Sequence, residues 1–181
     1  MALPTVILLA AGRGERYLAS GGTSHKLDAM LNARTVLEHT LAAVEASQLP
    51  WYLVRPDGGT NGMGDSIALG VTATSDAPGW LILPADLPLI QPDSLIAVAH
   101  ALENASIVVP CWLQQPGHPV GFDNCYFAAL SALRGDTGAK SIVQDARRQG
   151  RVTEVALDDQ GIVQDIDTVG DLQSLQSRAL P

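Results

Sequence analysis

One carboxylate sits between two prolines at the end of an apolar run, in Leu83-Pro84-Ala85-Asp86-Leu87-Pro88-Leu89. Prolines stiffen such a turn and hold the acid still. A hard cation such as Mg²⁺ asks for one or two oxygens of this kind plus phosphate oxygens. The bland alternative is a turn aspartate that caps the next helix, but Pro92 and Ser94 put that helix start further on. Asp165 and Asp167, in Asp165-Ile166-Asp167-Thr168, flank one apolar residue and share a side if the segment is extended. Either Asp167 brings a second carboxylate to the same cation, or the pair is an acidic loop ahead of a helix.

The matching positive charge lies near the N-terminus. Small residues and glycines in Leu9-Ala10-Ala11-Gly12-Arg13-Gly14-Glu15-Arg16 let a backbone wrap an anion with its N–H groups. Arg13, Arg16 and Lys26 would neutralise a triphosphate, the arginines by forked hydrogen bonds and the lysine as a point charge. Two familiar phosphate motifs fail here. A dinucleotide fingerprint needs a third glycine where Tyr17 stands, and a Walker A loop needs Gly before Lys and Ser or Thr after it, where His25 and Leu27 stand. An ordinary turn with exposed bases is the competing reading. Two further polar loops are bracketed by glycines, Gly117-His118-Pro119-Val120-Gly121-Phe122 and Gly135-Asp136-Thr137-Gly138-Ala139-Lys140. Gly62-Met63-Gly64-Asp65-Ser66 opens a helix whose N-terminus can face a base or phosphate. No Ser-His-Asp or Cys-His pairing is supported by spacing. His25, His39, His100 and His118 form no zinc-type cluster.

These loops need elements to hold them. Thr5–Leu9 is a continuous apolar run, as in a strand buried on both faces. Residues 12–34 read as one long loop. Thr35 and Glu38 form a capping box for a helix whose stripe is Leu37, Leu41 and Val44. Strands follow at 51–54, 80–83 and 107–109, and a fifth, antiparallel one at 120–122. Helices are expected from about Asp65, from Pro92 with Leu95, Val98 and Leu102 inward, and at 125–134 and 139–149. The last of these ends in Arg147, Arg148 and then Gly150, basic residues before a helix-stopping glycine. Residues 152–157 form a final strand, and Thr168 and Asp171 cap a C-terminal helix. Strands alternating with helices imply an α/β fold, a Rossmann-like three-layer domain with a mostly parallel sheet, spanning residues 1–181. Ligands in such sheets bind at the carboxyl ends of the strands, where the loops above lie.

Composition narrows the partners. The 181 residues are 46% hydrophobic and 17% charged, enough to bury a core and too apolar for a disordered chain. Nineteen acids against eleven Lys and Arg leave a net charge of −8, which disfavours a nucleic-acid backbone as partner. Aromatics at 4% argue against a stacking platform for single strands. Two cysteines make no disulfide framework, and no run approaches a membrane span. The expectation is a cytoplasmic protein without membrane contact.

Taken in order, these motifs resemble the MobA-like nucleotidyltransferase family, and within it the molybdenum cofactor cytidylyltransferases. The Leu9–Arg13 and Pro84–Pro88 pieces are shared by many nucleotidyltransferases; the Gly117–Phe122 and Gly135–Ala139 pieces belong to the cofactor branch. The resemblance implies transfer of CMP from CTP to the phosphate of molybdopterin, or of its molybdenum form, with Mg²⁺ and release of pyrophosphate. A molybdoenzyme would receive the product. By position, Lys26, Asp86 and Arg16 would be catalytic. Leu9, Ala10, Ala11, Gly12, Arg13, Gly14, Gly64, Ser66, Pro84 and Ala85 would bind the nucleotide. His118, Gly121, Asp136 and Gly138 would bind the pterin, and Asp86 and Asp167 the metal. The chain departs from the family in passing from Val54 to Gly62 without an extra strand and helix. That keeps open a guanylyltransferase on the same pterin, a sugar-phosphate nucleotidyltransferase, and a non-catalytic cofactor-binding accessory.

Overall fold

The run Thr5–Leu9 forms β1, and its alternation sends side chains to two different cores. Val6 and Leu8 point to one face of the sheet and Ile7 to the other, each fully buried. The computed structural model describes residues 2–178. In it β1 lies between two parallel neighbours, β4 (Trp51–Val54) and β5 (Gly79–Pro84), with Leu8 level with Leu53 and Leu83. Beyond β5 come β8 (Val120–Asp123), antiparallel to both its neighbours, and β6 (Ile107–Trp112). The outer partner of β6 is β9 (Val152–Ala156), parallel to it, and the two-residue strand β7 (Gln115–Pro116) also pairs with β6. Five of these seven strands run in one direction, which makes the sheet mostly parallel.

Helices cover both faces. On the Val6 side pack α2 (Val36–Ala46), α4 (Pro92–Leu102) and α7 (Val169–Arg178), through Val44, Leu95, Val98, Leu172 and Leu175. On the Ile7 side pack α3 (Met63–Ala73), α5 (Phe127–Ser131) and α6 (Lys140–Arg148), through Ile67, Val71, Leu130 and Ala146. Helix α2 begins with the expected reciprocal cap: Glu38 N–H donates to Thr35 Oγ1 (3.1 Å) and Thr35 N–H to Glu38 Oε2 (2.8 Å). Among the described residues no helix is long and apolar enough to cross a membrane.

Three local expectations are corrected. Residues 12–34 are not one loop. They hold a short helix α1 (Glu15–Ala19), a 3₁₀ turn at Lys26–Asp28 and a small antiparallel pair, β2 (Met30–Leu31) with β3 (Arg34–Thr35). Tyr17, Leu27 and Leu31 are buried there and anchor the segment to the Val6-side core. Helix α3 starts at Met63, two residues before Asp65, and the 125–134 helix shrinks to five residues after a 3₁₀ turn.

Candidate functional site

The carboxyl ends of β1 and β5 open into a cavity of about 550 Å³, with residues 60–63 of the stretch after β4 on its wall. Its floor is the loop after β1, residues 9–16, with Pro84, Asp86, Thr60, Ser66, Asp136 and Asp167 around it. Gly14 holds φ +65°, a left-handed conformation that glycine adopts without a Cβ penalty, and it turns the chain into α1. Among the described residues, the amides of Ala11, Gly12, Arg13 and Gly14 have no protein acceptor. Unpaired N–H groups in a concave loop form an anion-binding nest. This loop is tied to the turn that carries Lys26. His25 bonds the Gly12 carbonyl through Nε2, and its Nδ1 accepts from Leu27 N–H (3.1 Å). The ring is therefore the neutral Nε2–H tautomer.

From that turn Lys26 Nζ reaches Asp86 Oδ2 at 2.8 Å, with only 16% of each side chain exposed. Asp86 itself is fixed by backbone. Ala85 N–H donates to Leu9 O (2.9 Å), the buried Thr40 hydroxyl donates to Ala85 O (2.7 Å), and Ile166 N–H donates to Asp86 O (3.0 Å). The last bond brings the acidic segment 165–167 beside Asp86. Asp167 Oδ2 accepts from Arg16 (2.9 Å), an exposed guanidinium raised above its ordinary value chiefly by that hydrogen bond. Burial, then the charge of Asp86, pushes the Asp165 carboxyl up. Burial alone would raise Asp171 as well, but the amides of Asp167 and Thr168 (both 2.9 Å) and the Thr168 hydroxyl together hold it down.

Asp165 thus feels the charge of both Asp86 and Asp167 at one edge of the sheet. No group of three or more His, Cys, Asp or Glu closes into a cage among the described residues. Carboxylates that leave further positions to phosphate oxygens suit a hard divalent cation and not zinc. The donor set therefore fits Mg²⁺ or Mn²⁺ held jointly with a ligand.

His118 lies in the break between β7 and β8. Four residues separate Pro116 from Gly121 there, against two between their partners Cys111 and Val108. Its Nδ1 is sealed from solvent without a partner. Burial pushes the imidazole below its ordinary value of 6.5, against the pull of Asp86. Its N–H donates to Ile162 O (3.0 Å), and the charge of Asp86 reaches its ring.

Lys26, Asp86, Arg16, Leu9, Ala10, Ala11, Gly12, Arg13, Gly14, Ser66, Pro84, Asp136 and Asp167 all line the cavity. Five expected residues do not. Ala85 is buried with both backbone groups bonded. Gly64 is buried on α3, its N–H on Gly135 O (2.8 Å), where a Cβ would strike the backbone of 134–137. Gly121 is inside the sheet between Leu81 and Val108, against Val98. Gly138 packs on Met63, and His118 stands behind the wall. Thr60, Asn61 and His25 also line the cavity, outside the residues expected to bind there. Thr60 was detectable only through Ser66, whose hydroxyl it meets at 2.6 Å. For His25 the available signal was a two-nitrogen side chain directly before the key lysine.

The MobA-like NTP transferase domain family matches residues 46–152. The purine catabolism protein PucB of Bacillus subtilis (strain 168) is 32% identical over 124 residues, 67% of this chain; that match spans 59% of PucB. The crystal structure of Rv0371c from Mycobacterium tuberculosis H37Rv superposes with a TM-score of 0.81 at 23% identity, over 97% of this chain and 98% of that one. A manganese complex of Rv0371c superposes at 0.70 and 21%, over 97% and 98%. A nucleotidyl transferase from Methanothermobacter thermautotroptrophicus (Mth528) gives 0.78 at 19%, covering 97% of each chain. At these identities the structural likeness speaks for the fold.

Proposed function

The chain belongs to the MobA-like NTP transferase family, and on that premise we propose that residues 1–181 are one nucleotidyltransferase domain that transfers CMP from CTP to the terminal phosphate of a molybdopterin-type substrate. The observation that carries this reading is the Lys26–Asp86 pair (2.8 Å) beside a loop of unpaired amides at one sheet edge. It offers a fixed cation, a fixed carboxylate and an anion nest within one cavity.

In this reading the amides of 11–14 with Arg13, Arg16 and Lys26 take up the triphosphate. An oxygen of the acceptor phosphate forms a bond to the α-phosphorus in line, and the bond from that phosphorus to the bridging oxygen breaks. The electron pair leaves with pyrophosphate. The acceptor phosphate is already ionised, so no general base is needed; positioning and charge neutralisation do the catalysis. Asp86 and Asp167 would hold a divalent cation, which neutralises charge on the phosphates when bound. The manganese complex of Rv0371c favours such an ion. His118, kept neutral, and Asp136 serve the acceptor side, and a molybdoenzyme receives the product. The test is pyrophosphate release from CTP, GTP, ATP and UTP with molybdopterin and Mg²⁺. CTP is expected to be used best; preference for GTP would make the chain a guanylyltransferase. The short passage from Val54 to Met63 favours a second reading, a non-catalytic carrier of the pterin. Pterin binding without turnover of any nucleotide would establish that reading and overturn the first. A nucleotide at a hundred times its Kd should also add about 2.7 kcal/mol of stability.

A further inference from the structure

We propose that His25 is a positioning residue that locks the Gly12–Arg13 peptide with its N–H presented to the triphosphate; this rests on the nucleotidyltransferase reading. In a trans peptide the C=O of one residue and the N–H of the next point in opposite directions. His25 Nε2 holds the Gly12 carbonyl from the side of the Lys26 turn. The Arg13 N–H of the same peptide is thereby turned away from His25, and it has no protein acceptor among the described residues. Among the described residues the bond from His25 is the only hydrogen bond made by this peptide. A Cβ at Gly12 would meet no atom within 4 Å, so the space beside this glycine is open. A flip would replace a donor by a carbonyl oxygen in the anion nest and repel phosphate.

The same ring does a second job at its other nitrogen. Nδ1 accepts from Leu27 N–H and caps the 3₁₀ turn that projects Lys26 onto Asp86. One imidazole therefore sets the orientation of two phosphate-binding groups, a backbone amide and the lysine. A Cβ at Gly14 would stand 3.5 Å from His25 Nε2 and 3.6 Å from Lys26 Cγ, so loop and turn are in van der Waals reach.

Two substitutions separate the two jobs. In His25→Asn the side-chain oxygen stays near the Nδ1 position and can still cap Leu27, but the donor to Gly12 is lost. In His25→Gln the amide nitrogen reaches the Nε2 position, so the donor is kept and the cap weakened. The measurement is calorimetric binding of inorganic triphosphate with Mg²⁺, together with the ¹⁵N resonance of the Arg13 amide. His25→Asn should weaken binding about tenfold and abolish the triphosphate-induced shift of Arg13. His25→Gln should recover affinity to within about threefold and restore the shift. In turnover the Asn variant should raise the nucleotide KM far more than it lowers kcat. Equal binding by wild type and His25→Asn, or a larger loss in His25→Gln than in His25→Asn, would overturn the lock. A wild-type protein that binds no triphosphate would overturn the nucleotidyltransferase reading and this inference with it. Should His25→Asn not fold, the wild-type Arg13 amide decides: its failure to move on binding triphosphate would refute the proposal.

Discussion

Two turns leave neighbouring parallel strands, β1 and β5, at the same edge of the sheet, and they are built in opposite ways. The β1 turn is glycine-rich, with a left-handed residue at Gly14, amides without protein acceptors, and a side chain, His25, as its fastening. The β5 turn is bracketed by Pro84 and Pro88, and three bonds hold the backbone of Ala85 and Asp86, from β1, from α2 and from the loop ahead of α7. A ligand approaching the first turn finds a backbone whose hydrogen bonds are unspent. At the second it finds a carboxylate that cannot follow it. The site therefore pairs a turn whose amides are open to a ligand with a turn whose carboxylate is held in place.

The fixed wall should be the more sensitive to chemistry. Asp86→Asn should lower turnover by at least about 10²-fold, since it removes a preorganised charge and leaves Lys26 without its partner. Asp167→Asn should act in the same direction. If both carboxylates serve one ion, the double variant should be little worse than the worse single one in single-turnover kinetics across a Mg²⁺ titration. Wild-type turnover by Asp167→Asn would reduce the fixed wall to Asp86 alone. Next comes Lys26→Ala, expected to cost about 1.5–3 kcal/mol of nucleotide affinity by calorimetry.

Thr40→Val tests whether the rigidity itself matters. It leaves the Ala85 carbonyl without the buried Thr40 hydroxyl and should cost about 1–3 kcal/mol in urea unfolding. It should also lower kcat although Thr40 does not line the cavity at the sheet edge. A stability loss without any kinetic change would mean that the β5 turn does not need to be rigid. On the compliant side, Gly14→Ala forces a Cβ onto a left-handed residue. About 1 kcal/mol is expected, read as weaker nucleotide binding. The smallest effect is linked to pH. Burial holds His118 below its ordinary value of 6.5, against Asp86. Below 6.5 the unfolded chain takes up a proton that the folded one refuses, so stability is complete above 6.5 and falls as the pH drops through it. Unfolding of His118→Gln at about one pH unit either side of that value should show a shallower fall.

The fixed wall was the more legible in the sequence. Buried parallel strands are continuous apolar runs, and a proline-bracketed acid at the end of one is visible without a structure. The caps were legible too, as at Thr35 with Glu38 and Thr168 with Asp171, because each is a local pattern of side chain and amide. The compliant wall was not. Residues 12–34 are polar and glycine-rich, and their small elements are held by Tyr17, Leu27 and Leu31, spaced too irregularly to show a period. Gly121 and Gly64 sit in glycine-rich motifs that read as binding loops. Only strand register and helix packing show that they serve close contact within the fold. His25 stood in plain view as a mismatch to a phosphate motif, and its bridging role needs the distance between two loops.

The strand β8 runs against its neighbours, so its beginning meets the end of β5. A segment that enters the sheet, residues 117–119, thereby stands at the edge where other segments leave it. The groups assigned to the nucleotide come from outgoing chain, while His118 comes from incoming chain. The acceptor-side loop belongs to the β6–β7–β8 hairpin and shares no turn with the phosphate loop. Under the proposed function, insertions or exchanges at 117–119 would alter the acceptor side without touching the segments proposed to hold the nucleotide. On that reading one antiparallel strand would make donor and acceptor recognition separately mutable, a modularity through which a single transferase scaffold could diversify its substrates.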